Sequence, residues 1–554
     1  MKKLLLAVCV CSLALLSCAA SAGAAKPAFR GLAGAEAAQL QGRASQPGPL
    51  AVVALRQATL TGGAGAAVDF FGYSVALDGD TALVGAYDRT VGDKTYQGAA
   101  YVFVRSGDTW TQQGDELTAS DGATGDHFGS SVALDGDTAL VGASGHKVGA
   151  SAGQGAAYVF VRSGDTWAQQ GDELTAPDGT TGDAFGSSVA LDGDTALVAA
   201  PAHQVGANAA QGAAYVFVRS GDAWAQQGDE LTASDGVAQD YFGYSVALSG
   251  DTALIGAPYR RVGARELEGV AYVFVRSGET WSPQGGALIA SGGAANDEFG
   301  SAVALDGDTA LIGAPYHKVG SNPDQGVAYV FARSADAWRQ QGGELNTTTS
   351  RQGFGYAVAL AGDRALIGSP RDVVDGNIQG SAYAFVRYGT AWSRQGGTLA
   401  TASDGAHDFY GSAVALSGDT ALIGAPYHKV GSNALQGAGY VYRLPSITRP
   451  TLGAPACPAS VKRGARFAVS GTLAPQFTAG SRTVTVKTYR YVSGGWRFSK
   501  SYSTVNVDAG GASRYLTARF ALTQAGTYRF RASTTATMDW AAATSAYSRT
   551  LTVK

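Results

Sequence analysis

Cysteine is nearly missing from this chain of 554 residues: there are four, and Cys9, Cys11 and Cys18 fall within the first eighteen positions. With cleavage after Ala22, Cys457 alone remains and no internal disulfide can form, so core packing must hold the fold. Cys457 then reads as a small buried hydrophobe rather than a reactive thiol. Basic excess is also lacking. Lys and Arg number 41 against 44 Asp and Glu, a net charge of -3, without the basic balance of a nucleic-acid protein, so nucleic acid is excluded as a partner. Beyond the N-terminus no apolar run is long enough to span a bilayer. No Cys/His cluster has zinc spacing.

The N-terminus has the parts of a secretory signal, residues 1–22. Lys2 and Lys3 give the positive start, residues 4–16 the apolar stretch, and Ala20-Ser21-Ala22 a small-residue cleavage site. Leu15-Leu16-Ser17-Cys18 also resembles a lipoprotein signal, in which Cys18 would be acylated. Free secretion and a lipid anchor both stay open, and both place the protein outside the cell or on its surface. Residues 23–51 read as a flexible linker.

What the chain has in abundance is glycine, 77 residues, and one phrase in seven near-copies. The phrase reads FGSSVALDGDTALVGA, a variable loop, QGAAYVFVRSGDTW and QQGDELTASDG. Its aromatic-Gly pair falls at Phe71, Phe128, Phe185, Phe242, Phe299, Phe354 and Tyr410, each followed by Gly; the first four steps are 57 residues, the last two 55 and 56. A fixed period marks a repeat architecture. Within each copy, two apolar runs flank an Asp-Gly-Asp turn, as at Asp135-Gly136-Asp137, a tight-hairpin signal. The third run, AAYVFVR, is apolar on both faces and belongs between stacked sheets. A more polar fourth strand follows another turn. Four antiparallel strands repeated seven times predict an all-β, seven-bladed β-propeller. The six Trp from Trp110 to Trp392 recur at one position and read as blade-packing residues.

The units are split across the ends of the repeat region. The seventh copy stops after Gly439-Tyr440-Val441-Tyr442 and lacks its fourth strand, whereas residues 53–60 (VALRQATL) align with residues 110–117 (WTQQGDEL) before the first copy. That N-terminal strand is expected to complete the last blade and cover an otherwise open edge. Phe-Gly followed by Gly-Ala-Pro at residues 256–258, 313–315 and 424–426 resembles the FG-GAP repeat of the integrin-α propeller. The LTASDG, VALDGDTALVGA and QGAAYVF phrases are similar most of all to bacterial FG-GAP repeat proteins. The resemblance covers residues 52–444, with the second motif varied at residues 85–87, 142–144, 199–201 and 368–370.

Residues 445–458 read as a Pro-rich linker. Beyond it, residues 459–554 contain no Phe-Gly phrase but short alternating strands with Gly turns, which predict a β-sandwich. AGTYRFRA and SAYSRTLTVK resemble the Ig-like modules at the ends of actinobacterial surface proteins, which implies a spacer or adhesion unit.

Integrin-type repeats bind calcium through longer acidic loops. Here the turn is only Asp78-Gly79-Asp80 and its relatives, too few oxygens for calcium, so no metal and no cofactor are expected. A second acidic loop precedes each Phe-Gly pair, as at Asp121 and Asp126, Asp178 and Asp183, Asp235 and Asp240. Turn capping accounts for these Asp residues; a metal held by two carboxylates and backbone carbonyls is the minor reading. The long loops carry His146, His203, His317 and His428, which read as exposed charge partners of the acidic loops. Catalytic residues are not expected, because a reacting constellation is unique and these positions are duplicated.

Function is better sought where copies disagree. Blade four has Arg260, Arg261 and Arg265 with Glu266 and Glu268; the loop before blade six runs from Asn346 to Arg351; blade six has Arg371, Asp372 and Asp375. Arg260, Arg261, Arg265, Arg351 and Arg371 are the candidate ligand-binding residues, an Arg-rich arc suited to an anionic glycan or acidic protein surface. The sequence is best read as a monomeric, non-enzymatic binding or adhesion protein, exported or surface-held, with an extracellular protein or glycan as ligand. A propeller-based lyase or glycosidase and a structural envelope protein are the alternatives.

Overall fold

The structure, a computed structural model, describes residues 54–554 except 64, 348–352, 375, 401–406, 447–450, 453, 475–482, 509–512 and 535–544. The signal segment, Cys18 and Arg351 lie outside the described residues. Among the described residues the regular elements are all strands.

Seven four-stranded antiparallel sheets follow the repeat. Blade two shows the pattern: Phe128–Asp135, Thr138–Ala143, Ala156–Ser163 and Thr166–Gln169. Its first hairpin pairs Asp135 with Thr138, and Gly136 takes φ +55° in the two-residue turn, a conformation glycine adopts without a Cβ clash. The second strand of every blade is buried throughout, including Arg364 at the start of the one in blade six.

The seventh blade has the predicted composite make-up. Its sheet joins Leu55–Leu60 to Ala438–Arg443, Thr420–Ala425 and Ala413–Ser417 in that order, with Leu60 opposite Gly439. The first strand of each blade touches that of the next, and the first strand of blade seven touches that of blade one. The apolar core is correspondingly a series of clusters between blades. Phe128, Tyr158 and Phe160 of blade two pack with Leu83, Val102 and Leu117 of blade one; at the closure, Phe71 and Tyr101 meet Leu60, Leu422 and Val441.

The Phe-Gly motif is the seam. Phe128 is fully buried, and its N–H donates to the Gln97 carbonyl of the preceding blade at 2.8 Å. Trp167 donates its indole N–H to Gln113 of the blade before at 2.9 Å, and the same Trp–Gln link recurs at Trp224, Trp281 and Trp338. The tryptophans are thus blade-packing residues.

The C-terminal residues form an eight-stranded sheet that includes Ser470–Ala474, Thr483–Val492, Gly495–Asp508, Ser513–Leu516, Gly526–Thr534 and Leu551–Val553, and a two-stranded one of Arg466–Phe467 with Phe520–Ala521. Val484, Val486, Phe530 and Leu551 form its core with Cys457. Cys457 is buried and free, and burial raises its thiol pKa, in keeping with a packing role.

Candidate functional site

The first strands form the inner ring of the propeller, so residues at their entry converge on its mouth. In each copy the residue before the Phe-Gly pair is held with left-handed φ: Phe70 at +53°, His127 at +55°, Ala184 at +58°, Tyr241 at +53°, Glu298 at +53° and Phe409 at +54°, with Gly353 in the sixth. Its carbonyl accepts from the N–H three residues on, as Tyr241 does from Tyr244 and Glu298 from Ser301. Non-glycine residues there store strain of about 1 kcal/mol each, which persists where surrounding structure imposes it.

The residue after the pair reads Tyr73, Ser130, Ser187, Tyr244, Ser301, Tyr356 and Ser412. Tyr73, Tyr244 and Tyr356 stay 45%, 43% and 40% exposed. They come from blades one, four and six, yet Tyr73 and Tyr356 both act electrostatically on Tyr244. Residues of blades that are not neighbours can meet this way only across the ring. Burial still raises the Tyr244 phenol well above its ordinary pKa. Around these three, Tyr87 lies 4.2 Å from Tyr73, Tyr259 5.7 Å from Tyr244, and Phe70 and Phe409 both pack on Tyr427.

At the entry to blade five, Glu298 brings a carboxylate to this mouth. Glu298 acts on Tyr244 and Tyr259, and desolvation pushes its pKa up to about 7 against the opposing pull of Arg371. Arg371 sits over the Tyr316 ring at 5.4 Å and donates to its hydroxyl at 3.3 Å. On blades one and two His127 pairs with Asp88 at 2.9 Å.

The predicted arginines divide between places. Arg371 is at the mouth. Arg260 lies farther out, 2.8 Å from Asp240 and 3.1 Å from Asp235; Arg261 pairs with Glu266 at 3.2 Å, and Arg265 with the buried Glu268. Among the described residues, the charges of Arg260, Arg261 and Arg265 are thus answered within the chain. Sequence reasoning missed Tyr73, Tyr244, Tyr356 and Glu298 because they flank the most repetitive motif; comparing the copies at those two positions alone would have exposed them.

The His–acid pairs depart from expectation too. They are buried, not exposed: His146 and His203 are 6% and 4% accessible, with Nδ1 at 2.9 Å from Asp126 and 2.8 Å from Asp183. Asp126 caps its own turn as expected, accepting from the Ala123 N–H at 2.6 Å. The neighbouring acids favour the charged imidazole, raising His146 chiefly through Asp126 and His203 to about 9 chiefly through Glu230.

The Asp-Gly-Asp turns are occupied structurally. Asp78 accepts from the Gly136 N–H of the next blade at 2.8 Å, and Asp137 from Arg162 at 2.6 Å. A cavity of about 490 Å³ at these turns, between blades four and five, is lined by Asp251, Arg276 and Arg333. Its arginines belong to Arg–Asp pairs that recur in all seven blades, so it is a packing seam.

The FG-GAP repeat family matches residues 55–103, 110–160, 167–217, 224–274, 282–331, 348–385 and 398–442, more than half of the chain. This chain is an FG-GAP repeat protein. No curated protein matches it. Among solved structures the FG-GAP chain is similar to the GH74 xyloglucanase from Xanthomonas campestris, at 14% identity and a TM-score of 0.38, over 75% of this chain and 58% of that one. It is also similar to the GH32 β-fructofuranosidase BmSUC1 of Bombyx mori, at 8% identity and a TM-score of 0.28, over 75% and 84% of the two chains. Plexin A4 follows at 6% identity and a TM-score of 0.25, over 85% of this chain and 75% of that one. The FG-GAP chain spans 58% of the xyloglucanase's length, and likenesses this distant assign no function.

Proposed function

We propose that this FG-GAP chain is a binding protein that recognises a glycan at the propeller mouth, exported by its N-terminal signal and spaced from its attachment by an Ig-like C-terminal module. The supporting observation is the set of three half-exposed tyrosines, Tyr73, Tyr244 and Tyr356, brought together from blades one, four and six. Recognition sites of this kind are concave and aromatic, with a few polar groups that fix orientation. A tyrosine presents a large apolar face at low entropic cost and a hydroxyl at its tip, which suits the apolar face and rim hydroxyls of a sugar ring. Glu298 and Arg371 supply the polar contacts.

Ser occupies the same position in four blades, so Tyr73→Ser, Tyr244→Ser and Tyr356→Ser together should leave the fold intact. On an array of neutral and anionic oligosaccharides the full chain should bind, and the triple variant should lose at least tenfold in affinity. Equal binding by both proteins counts against the proposal.

A second reading, a glycoside-cleaving enzyme, draws on Glu298. It is the one carboxylic acid among the seven equivalent positions, and a carboxyl with a pKa near 7 suits a general acid. Canonical glycosidases need a second carboxylate on the other side of the bond. Release of reducing sugar by the wild-type chain, abolished by Glu298→Gln, would favour this reading; binding without release by both proteins keeps the site as a lectin-like one.

A further inference from the structure

The slot behind each long loop holds one central side chain in every blade: Arg89, His146, His203, Arg260, His317, Asp372 and His428. In blades one and four it is an arginine between two acids. Arg89 meets Asp69 at 3.4 Å and Glu116 at 3.1 Å, and Arg260 meets Asp235 and Asp240. The third acidic position is empty there, being Ala64 in blade one and Ala287 in blade four. In blade five, His317 also faces two acids, Asp297 and Glu344, with Gly292 at the third position. Blades two and three alone keep all three acids by sequence, around a histidine: Asp121, Asp126 and Glu173 with His146, and Asp178, Asp183 and Glu230 with His203. A histidine carries at most one positive charge against three carboxylates.

In those two slots the imidazole faces all three acids. His146 Nδ1 is taken by Asp126, which turns Nε2 toward the other two acids. Nε2 lies 3.6 Å from Asp121 Oδ2; His203 Nε2 lies 3.7 Å from Asp178 Oδ2 and 3.4 Å from Glu230 Oε2. These separations are close to the roughly 3.3 Å edge of a tetrahedron with zinc–ligand bonds of about 2.0–2.1 Å. One ligand atom each from Asp121, His146 and Glu173 fits within 4.8 Å, as does the set Asp178, His203 and Glu230. The supporting contacts recur as well. Tyr158 donates to Asp121 Oδ1 and Tyr215 to Asp178 Oδ1, both at 2.9 Å. A carboxylate on the far imidazole nitrogen and an anchored ligand carboxylate are what orient a metal site.

We infer that blades two and three each bind one divalent transition-metal ion of the zinc class, through Asp121, His146 and Glu173 and through Asp178, His203 and Glu230. Asp126 and Asp183 are positioning residues for the imidazoles. An imidazole with two carboxylates suits zinc rather than calcium, which takes oxygen ligands in larger number. The ion ties the acidic loop, the long loop and the residue after the fourth strand together, as the Arg89 guanidinium does in blade one.

The test is zinc stoichiometry on the full chain, stripped with chelator and titrated against a chromophoric zinc indicator. Wild type should hold two ions, His146→Arg one, and His146→Arg with His203→Arg none. The arginine variants reproduce slots the chain already builds, so their melting temperatures should stay near that of the stripped wild type. If the double arginine variant unfolds, Glu173→Gln with Glu230→Gln gives the readout: it leaves both imidazole–Asp pairs intact and should weaken zinc binding tenfold or more. Zinc should raise the wild-type melting temperature, and an equal concentration of calcium should not. Equal zinc uptake by wild type and variants, or none by wild type, overturns the inference.

Discussion

At the scale of single residues, the demands of the repeat and those of the site can be told apart. Gly155 takes φ +86°, and a Cβ there would meet the Phe185 carbonyl oxygen at 2.1 Å. Gly155→Ala therefore meets both backbone strain and backbone overlap at a blade seam, and should cost about 3 kcal/mol or more; denaturant unfolding of the variant measures it. Glu298 carries the opposite signature, a strained residue the seam does not need. Its pKa is about 7 in the folded chain against an ordinary value of 4.5. The folded state thus holds an extra proton between those values, and its stability falls as pH rises from about 4.5 through 7. Melting temperature should drop more from pH 5 to pH 8 in the wild type than in Glu298→Gln. Parallel curves would show that Glu298 is not desolvated at the mouth.

At the scale of elements, the split blade is the point most open to direct test. Leu55–Leu60 pairs along Ala438–Arg443, and Leu60 lies in the cluster that joins blades seven and one. Deleting residues 51–60 should expose that edge and lower the melting temperature by ten degrees or more; an unchanged melt would contradict the closure. This strand was legible because the spacing from Leu60 to Phe71 repeats that from Leu117 to Phe128, and spacing survives even where residues differ. Hairpins were legible for a related reason, since Asp-Gly turns and apolar alternation are local. The burial of His146 and His203 was not. An imidazole beside acids looks solvated in sequence, and only packing of the fourth-strand end against both loops encloses it.

At the scale of the whole molecule, sevenfold repetition leaves function to the positions where symmetry fails. Tyr73, Tyr244 and Tyr356 are separated by 171 and 112 residues, so no local pattern links them, and ring geometry alone brings them to one mouth. The arginine-rich loops stood out in sequence as departures from the repeat, yet Arg260, Arg261 and Arg265 are each paired with a nearby acid. A ligand found on the oligosaccharide array allows the most direct test, hydroxyl-radical footprinting of the full chain with and without it. Protection should appear at Tyr73, Tyr244 and Tyr356, while Tyr491, exposed in the C-terminal sheet, stays unchanged. Protection confined to the C-terminal sheet or to the outer arginine loops, with the three tyrosines still reactive, would contradict the account.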